Sequence, residues 1–398
     1  MSRMSLFLRL SPQIVFVLSL LLAGGCLGGS KKARRYKKAQ VQKRLKEFET
    51  PGLLIGEFPL ARNAIVDGDT VKVSGLDTSL RLSSIDTEET FKSDADRRLY
   101  EAGFQEYLKA KRGKSLKPVK CATPLGEEAK DYAKKFFADA EVVRLERDHP
   151  KELRGRYGRY LAYVFARKKG KWINYNVECV RAGMSPYFTK YAYSRRFHDE
   201  FVQAQKEAQQ KRIGIWDPSK EHYPDYAERL DWWNARADFI KAFEQEAEGK
   251  DNYIVLTHWD SLRQLEQNVG KQVVLLGLVG DIKLGDRGPT KVMLGRRLLS
   301  DFPLVFFDKD VFGSSGVARH TGEFVRVEGV VQKWHNKHTK RDELQIMINL
   351  PGQIKGSDRL PDYSGWDTEG PDPETEAEGL EMDHRDPGQE EEEVRHAP

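Results

Sequence analysis

The sequence is poor in cysteine, with three among its 398 residues. So few thiols exclude the disulfide-rich class of small exported scaffolds. No two cysteines are spaced C-x-x-C, and the nine histidines show no metal-binding spacing, so neither usual sequence pattern of a zinc site is present. Cys121 and Cys179 are either free thiols or, in an oxidising compartment, one bonded pair.

Long apolar runs are also lacking. The run at residues 14–23 is shorter than the roughly 20 residues that span a bilayer. It follows a short basic segment without acids, as in an export signal. The LAGGC that ends at Cys26 resembles a bacterial lipobox, although Ala23 stands where a large aliphatic residue is usual. We therefore expect an exported cell-envelope lipoprotein anchored to the membrane through Cys26, with a secreted protein as the alternative.

Acidic residues are unevenly distributed. Residues 357–398 hold fifteen acids against three arginines, a charge of −12. Because the whole chain has a net charge of +5, the other residues together carry +17. A basic body attracts polyanions, although it also serves solubility alone. Nine lysines and arginines crowd residues 31–46, which predicts either contact with anionic lipid or nucleic acid, or a solvated tether. The acidic tail should be disordered.

Turn signals and hydrophobic periodicity divide the chain into segments. Period-2 patterns dominate two of them, and helical patterns join those two, so we predict a mainly β, α+β protein. The predicted order is a signal peptide with a lipobox-like end at 1–26, a basic tether at 27–52, a globular domain at 53–220, a helical connector at 221–250, an OB-like β-barrel at 251–356 and an acidic tail at 357–398.

Five strands are predicted in each of the two β-rich segments. The second set leaves a long connection in the middle, which is typical of a small closed barrel of the OB type. The first set is 64–66, 70–74, 79–85, 142–145 and 161–165, with helices from Gly126 and over 197–211; the second is 271–278, 291–294, 304–307, 323–333 and 344–350.

Carboxylates gather near an arginine where a predicted strand ends. Asp67 and Asp69 form the turn DGDT, and Asp86 follows Arg81 in RLSSIDTEET. Carboxylate oxygens are the ligands that hard divalent cations prefer, and the planar arginine fork suits phosphate. Glu89 lies on the loop beyond and offers a base for water. Taken alone, DGDT is more often a simple hairpin turn.

A second arginine, Arg159, occurs in YGRYLAY at residues 157–163. The order DGDT, then R-L-x-x-I-D-T-x-E, then a helix, then YGR-x-LAY closely resembles the thermonuclease, or staphylococcal-nuclease-like, family. The segments NVE, VRAGM and GIW, which begin at Asn176, Val180 and Gly214, fit that family too. The resemblance covers about residues 53–217 and not the second predicted barrel.

The resemblance implies a five-stranded OB barrel with three helices. It also implies calcium-dependent cleavage of DNA and RNA that leaves 3′-phosphate ends. Asp69 and Asp86 would bind Ca²⁺ through their carboxylates and Thr87 through its backbone carbonyl, with Asp67 just behind them.

The implied catalytic residues are Arg81, Arg159 and Glu89. The two arginines would hold the scissile phosphate and stabilise its transition state, and Glu89 would position or deprotonate the attacking water. Family members usually have proline before that glutamate, whereas this chain has Glu88, so two carboxylates adjoin where one base is expected; the register favours Glu89. Among the tyrosines, we place Tyr191 near the substrate.

The connection at residues 90–120 is longer and more basic than is usual in the family. Its lysines could hold substrate, and its aromatics Phe104 and Tyr107 could stack on bases; a solvated surface insertion is the other interpretation. In the second barrel, the basic KWHNKHTKR segment with Trp334 is compatible with nucleic-acid contact or with an exposed hairpin.

Two rival functions are a catalytically silent nucleic-acid-binding lipoprotein and a surface lipoprotein that presents barrels to a protein. The nuclease reading needs no obligate protein partner. No acid or arginine expected from the family is missing, which favours the nuclease.

Overall fold

A computed structural model describes residues 52–360, except positions 77–78, 116, 153–158, 298–299 and 338–339. The predicted signal peptide with Cys26, the basic tether up to position 51 and the acidic tail beyond position 360 lie outside the described residues. Tyr157, Gly158 and His338 lie outside them too. Within the described part, no helix is long and apolar enough to cross a membrane.

Five strands close the first barrel. Strand β1 pairs with β2 and β4, and β3 runs parallel to β5, so the order around the ring is β1-β2-β3-β5-β4. Strand β6 extends the sheet beside β5. This confirms the predicted OB barrel. The strands are β1 (Leu54–Ile65), β2 (Thr70–Val73), β3 (Leu80–Leu82), β4 (Val142–Glu146), β5 (Tyr160–Lys168) and β6 (Lys171–Asn174).

Strand β1 begins ten residues before the predicted start at Ala64. Gly56 and Asn63 have φ of 151° and 55°, and the pairing register shifts near both ends of the strand. These bulges break the period-2 pattern, which is why the pattern indicated only the last residues. In β2, by contrast, Val71 and Val73 are buried on either side of an exposed lysine, as predicted.

Six helices belong to the part of the described chain before residue 250. The α3 helix begins at a cap, because the Thr123 hydroxyl accepts a hydrogen bond from the backbone of Gly126 and Pro124 occupies the first turn. Helices α1 and α2 lie in the connection at residues 90–120, for which the sequence left open substrate contact or a solvated insertion. The helices are α1 (Asp94–Ala102), α2 (Phe104–Arg112), α3 (Pro124–Phe137), α4 (Tyr175–Arg181), α5 (His198–Lys211) and α6 (Tyr226–Ala247).

The second barrel repeats the ring order of the first. Strand β8 pairs with β9 and β11, and β10 runs parallel to β12, which gives β8-β9-β10-β12-β11. This confirms the second predicted OB-like barrel. Its elements are β7 (Tyr253–Val255), α7 (Ser261–Gln267), β8 (Gln272–Lys283), β9 (Thr290–Arg297), β10 (Ser300–Phe306), α8 (Lys309–Ser315), β11 (Phe324–Asn336), β12 (Arg341–Met347) and β13 (Ile354–Gly356).

Helix α6 packs against both barrels. On the first barrel's side, the Trp233 ring lies edge-on to Phe188, with centroids 4.7 Å apart. On the other, Phe243 belongs to a buried cluster with Leu276 of β8. The predicted helical connector is thus a helix that contacts both barrels.

Candidate active site

The DGDT turn joins β1 to β2 and is fixed by close packing. A Cβ on Gly68 would lie 2.7 Å from the Thr87 side chain and 2.8 Å from Cβ of Ala129 on α3. The Tyr175 hydroxyl donates to the Gly68 carbonyl at 2.7 Å. Only glycine fits there, so helices α3 and α4 hold the two flanking acids in place.

Four of the predicted site residues form one ionic cluster. The Arg81 guanidinium contacts both Asp69 and Asp86 through separate nitrogens. The Thr87 backbone N–H donates to Asp69 at 3.2 Å. Burial disfavours charge on Asp69, but Arg81 and Lys120 outweigh burial and hold the pKa of its carboxyl below the ordinary value.

Asp67 lies beside these acids, and the charge of Lys92 offsets only part of the effects that disfavour its ionisation. Burial first, and then the charges of Asp69 and Glu89, raise the pKa of Asp67 to about 7. Its Oδ1 is buried and has no hydrogen-bond partner among the described residues. A group in this state gains from a nearby positive ion.

The second arginine lies just before the neighbouring strand. Arg159 immediately precedes β5 and is 9% exposed, and its charge helps to lower the pKa of Asp69. Because Arg81 pairs with Leu161 across the parallel β3–β5 ladder, Arg159 lies two residues before the partner of Arg81. The structure therefore brings together both predicted phosphate-binding residues.

The two adjacent glutamates have different surroundings. Glu88 is 1% exposed and accepts hydrogen bonds from the Thr123 hydroxyl, the Tyr223 backbone at 2.8 Å and the Tyr226 hydroxyl at 2.9 Å. Burial raises the pKa of Glu88. With its oxygens occupied in this way, Glu88 is a structural anchor of the loop.

Glu89 is the accessible member of the pair. Its side chain is 20% exposed and forms an ion pair of 3.0 Å with Lys92. The Thr123 backbone donates to the Glu89 carbonyl at 3.0 Å. A Cβ on Gly126 would lie 2.0 Å from that carbonyl, so the start of α3 abuts the loop and fixes where Glu89 projects.

Lys120 enters the site from the long connection after β3. Its Nζ lies 2.7 Å from Asp86 Oδ1, and its side chain is largely buried. Sequence reasoning grouped Lys120 with the other lysines of the connection as possible substrate contacts. Its local sequence contains no signal of a contact with Asp86.

The aromatics of that connection do not form a stacking surface. Tyr107 is fully buried and packs with Cys121, Tyr223 and Tyr226, and Phe104 lies against the same cluster. The suggestion that Tyr107 stacks on bases is therefore wrong, because no face of its ring reaches solvent. Both described cysteines, Cys121 and Cys179, are buried free thiols.

Tyr191 is connected to the ionic cluster through one intervening ring. It is 47% exposed and lies edge-on to Phe188 at 5.8 Å, and the Arg81 guanidinium lies 5.5 Å from the Phe188 ring centre. Tyr163 and Tyr187, in contrast, are buried packing residues. Tyr191 is thus the tyrosine of this group that is both exposed and close to the arginine.

Known proteins match the first barrel and its neighbourhood. The family model for staphylococcal nuclease homologues matches residues 79–218. An uncharacterized protein of Methanocaldococcus jannaschii is 31% identical over 38% of this chain and 69% of its own length. The thermonucleases of Staphylococcus hyicus and Staphylococcus intermedius are 32% and 30% identical, over 38% and 41% of this chain and 72% and 77% of their own lengths. With this extent of similarity, the chain belongs to the staphylococcal nuclease homologue family, and its first barrel is a nuclease-type domain.

Proposed function

We propose that this chain is an exported, calcium-dependent nuclease that hydrolyses phosphodiester bonds of DNA and RNA and leaves 3′-phosphate ends. The observation that carries the proposal is the cluster in which Arg81 contacts Asp69 and Asp86 beside a buried, unsatisfied Asp67 oxygen. Family membership supports it, since two relatives are named thermonuclease.

The donor set fits calcium. Asp69, Asp86 and the carbonyl of Thr87 supply oxygen ligands only, which is the preference of a hard cation, and the positive ion would relieve the repulsion felt by Asp67. When bound, calcium supplies a positive charge that draws in a phosphate oxygen and offsets charge developing on it.

The chain's own residues do the rest of the chemistry. The Arg81 fork presents two nitrogens to carboxylates here and has the shape to grip two phosphate oxygens instead. Arg159 adds a fixed positive charge from the next strand. Glu89 takes a proton from the attacking water, the water oxygen bonds to phosphorus, and the bond from phosphorus to the 5′-oxygen breaks. The leaving 5′-oxygen takes a proton from solvent, and the phosphate stays on the 3′-oxygen.

The decisive experiment is cleavage of single-stranded DNA and of RNA by the purified protein, with calcium and then with a calcium chelator. We expect cleavage only with calcium and 3′-phosphate products. Glu89→Gln should lower kcat by about 10²–10⁴-fold. Glu101→Gln, an exposed position on α1, is the matched control and should leave kcat unchanged. A folded protein that binds DNA without any metal-dependent cleavage would favour the silent binding lipoprotein.

Export and anchoring are part of the proposal and are supported by the sequence alone. Cell fractionation with a Cys26→Ser variant tests them. We expect the wild-type chain in the membrane fraction in its processed form, and the variant either released or retained at the larger size of the precursor. A variant with the same size and the same distribution as the wild type would contradict lipidation at Cys26.

A further inference from the structure

A second polar cluster lies away from the nuclease site, where the connection after β4 meets the connection after β7. The Trp259 backbone donates to the Lys151 carbonyl at 3.0 Å, and its indole N–H donates to the Pro150 carbonyl at 3.3 Å. An ion pair of 3.0 Å joins Lys151 to Asp260. These contacts hold one loop of each barrel together.

Three side chains that commonly bind metals meet at this junction. One ligand atom from each of His149, Glu152 and His258 lies within 4.8 Å of the others. The two imidazole rings stack with centroids 4.6 Å apart and an angle of 14° between planes. Neither rings nor carboxylate belong to the nuclease site.

His258 carries an unsatisfied nitrogen. The residue is 9% exposed, and its Nε2 has no hydrogen-bond partner among the described residues. Burying a polar nitrogen without a partner costs stability, so such a group in a folded protein calls for an explanation, and a bound ion is one.

We propose that His149, Glu152 and His258 bind a zinc ion that links the two barrels. Two imidazoles and one carboxylate make a set that suits zinc, with a fourth position left for water. The set differs from the oxygen-only acids of the nuclease site, which suit calcium. The chain therefore offers two sites of different metal preference.

The rings are in the right state to act as ligands. Burial lowers the pKa of His149 to about 4 and that of His258 to about 3, so both are neutral at pH 7 and keep a lone pair. Arg195 and Lys151 lower these pKa values further, whereas Asp260 raises both. Stacking at this distance is also natural for two neutral rings.

Zinc has competitors at the site. Arg195 lies 3.1 Å from a Glu152 oxygen, and the Lys151 backbone donates to His149 Nδ1 at 3.2 Å. Arg195 keeps other partners, Asp148 and Glu244, when Glu152 turns to the ion. One ring must tilt for its lone pair to converge with the other, so we expect an affinity below that of a preformed four-ligand site.

The test is a calorimetric titration of the purified full-length protein with zinc sulfate, after chelator treatment and in excess calcium to fill the acidic site. We expect one zinc per chain, confirmed by metal analysis. Glu152→Gln and His149→Ala are chosen because both positions are only partly buried. Each should weaken zinc binding by about 100-fold or more. Loss of a residue that only hydrogen-bonds to a metal ligand already lowers metal affinity by about 10–100-fold, and these residues are the ligands themselves.

Two matched controls should keep wild-type affinity. His335→Ala removes an exposed histidine of the second barrel, and Asp86→Asn removes an acid of the nuclease site. With cobalt as the probe, the visible bands of a four-coordinate ion should appear in the wild type and be lost in Glu152→Gln. A wild type that takes up no zinc, or His149 and Glu152 variants that bind it as tightly as the wild type, would overturn the assignment.

Discussion

The two barrels of this chain share one ring order, with the third and fifth strands parallel in both, but they bury different side chains. The first buries Asp67, Asp69 and Asp86. The second buries acids too, but separately: Asp260 pairs with Lys151, and Glu323 pairs with Arg236. Because three acids buried side by side repel one another, the first barrel holds a feature that folding alone does not require. The fold is common to both, and the chemistry belongs to one site.

The segment after the third strand shows the difference most directly. In the first barrel Asp86 follows β3 and pairs with Arg81 and Lys120. In the second, Asp308 follows β10 and accepts hydrogen bonds from the backbones of Asp310 and Val311 at the start of α8. An aspartate after the third strand therefore pairs with cationic side chains in one barrel and caps a helix in the other.

The largest effect is expected from removing Arg81, the arginine that contacts two buried acids in the first barrel. Arg81→Ala should lower kcat for DNA cleavage by about 10³-fold, on the order of 4 kcal/mol, because the transition state loses a fixed cation. Arg326→Ala, which breaks ion pairs on β11 of the second barrel, should leave kcat unchanged. Equal losses in the two variants would mean that the effect is structural.

The next effect separates the two adjacent glutamates. Glu88→Ala leaves the donors of Tyr223 and Tyr226 unpaired in the interior and should lower the free energy of unfolding by about 3 kcal/mol. Glu89→Gln should change it by less than about 0.5 kcal/mol while removing activity. Urea unfolding and cleavage rates measured on both variants test this; a stable Glu88→Ala would show that the loop does not depend on its anchor.

A smaller effect concerns Asp67 and how it makes the free energy of unfolding depend on pH when no calcium is present. In the folded protein Asp67 has its pKa raised to about 7, so between about pH 4 and 7 the folded state binds a proton that the unfolded state has lost. This contribution to stability is therefore lost as pH rises through that window. Asp67→Asn should remove the loss, so that without calcium the variant is more stable than the wild type at pH 8 but binds calcium less tightly.

The matched changes in the second barrel should not stabilise the protein. Asp308→Asn keeps an oxygen that caps the helix and should be nearly neutral, whereas Asp308→Ala removes the cap and should lower the free energy of unfolding by about 1 kcal/mol. Calcium dependence should be unchanged in both variants. Thermal unfolding of the Asp67 and Asp308 variants in chelator compares them directly. If Asp67→Asn were less stable than the wild type at pH 8 in chelator, ionised Asp67 would not be destabilising the folded protein.

The smallest effect tests whether the second barrel holds substrate. Trp334 is 38% exposed on the β11–β12 hairpin, and Lys291 Nζ lies 5.1 Å from its ring centre. Trp334→Ala should weaken DNA binding by about tenfold through loss of one stacked base, without a change in kcat. Phe307→Ala, which removes another exposed aromatic of the same barrel, should leave DNA affinity unchanged. Equal DNA affinity in the wild type and both variants would contradict a substrate-binding role of Trp334.

Local motifs were the part of the molecule that sequence reasoning predicted well. DGDT and the segment around Asp86 are contiguous motifs, and through the family resemblance that they carry they predicted the first barrel and the grouping of the acids. The second barrel was predicted from its five strand patterns and the long connection between them. The start of β1 was missed because bulges at Gly56 and Asn63 interrupt the pattern.

Contacts between distant residues were the part that could not be predicted. The role of Glu88 depends on Tyr223 and Tyr226, which are 135 and 138 positions away. His149 and His258 lie on loops of different barrels, so no spacing rule brings them together. Burial of Tyr107 likewise results from tertiary packing against Tyr223 and Tyr226, which are distant in sequence.

The hydrogen bonds that α6 and the segment before it make with Glu88 also bear on engineering. The family match ends at residue 218, yet Tyr223 and Tyr226 lie beyond it and hold the loop that carries Glu89. A version trimmed to the matched length would lose those two tyrosines and leave a buried acid without its donors. The smallest piece of this chain that keeps the Glu88 anchor intact therefore extends at least to Tyr226, beyond the segment that matches the family.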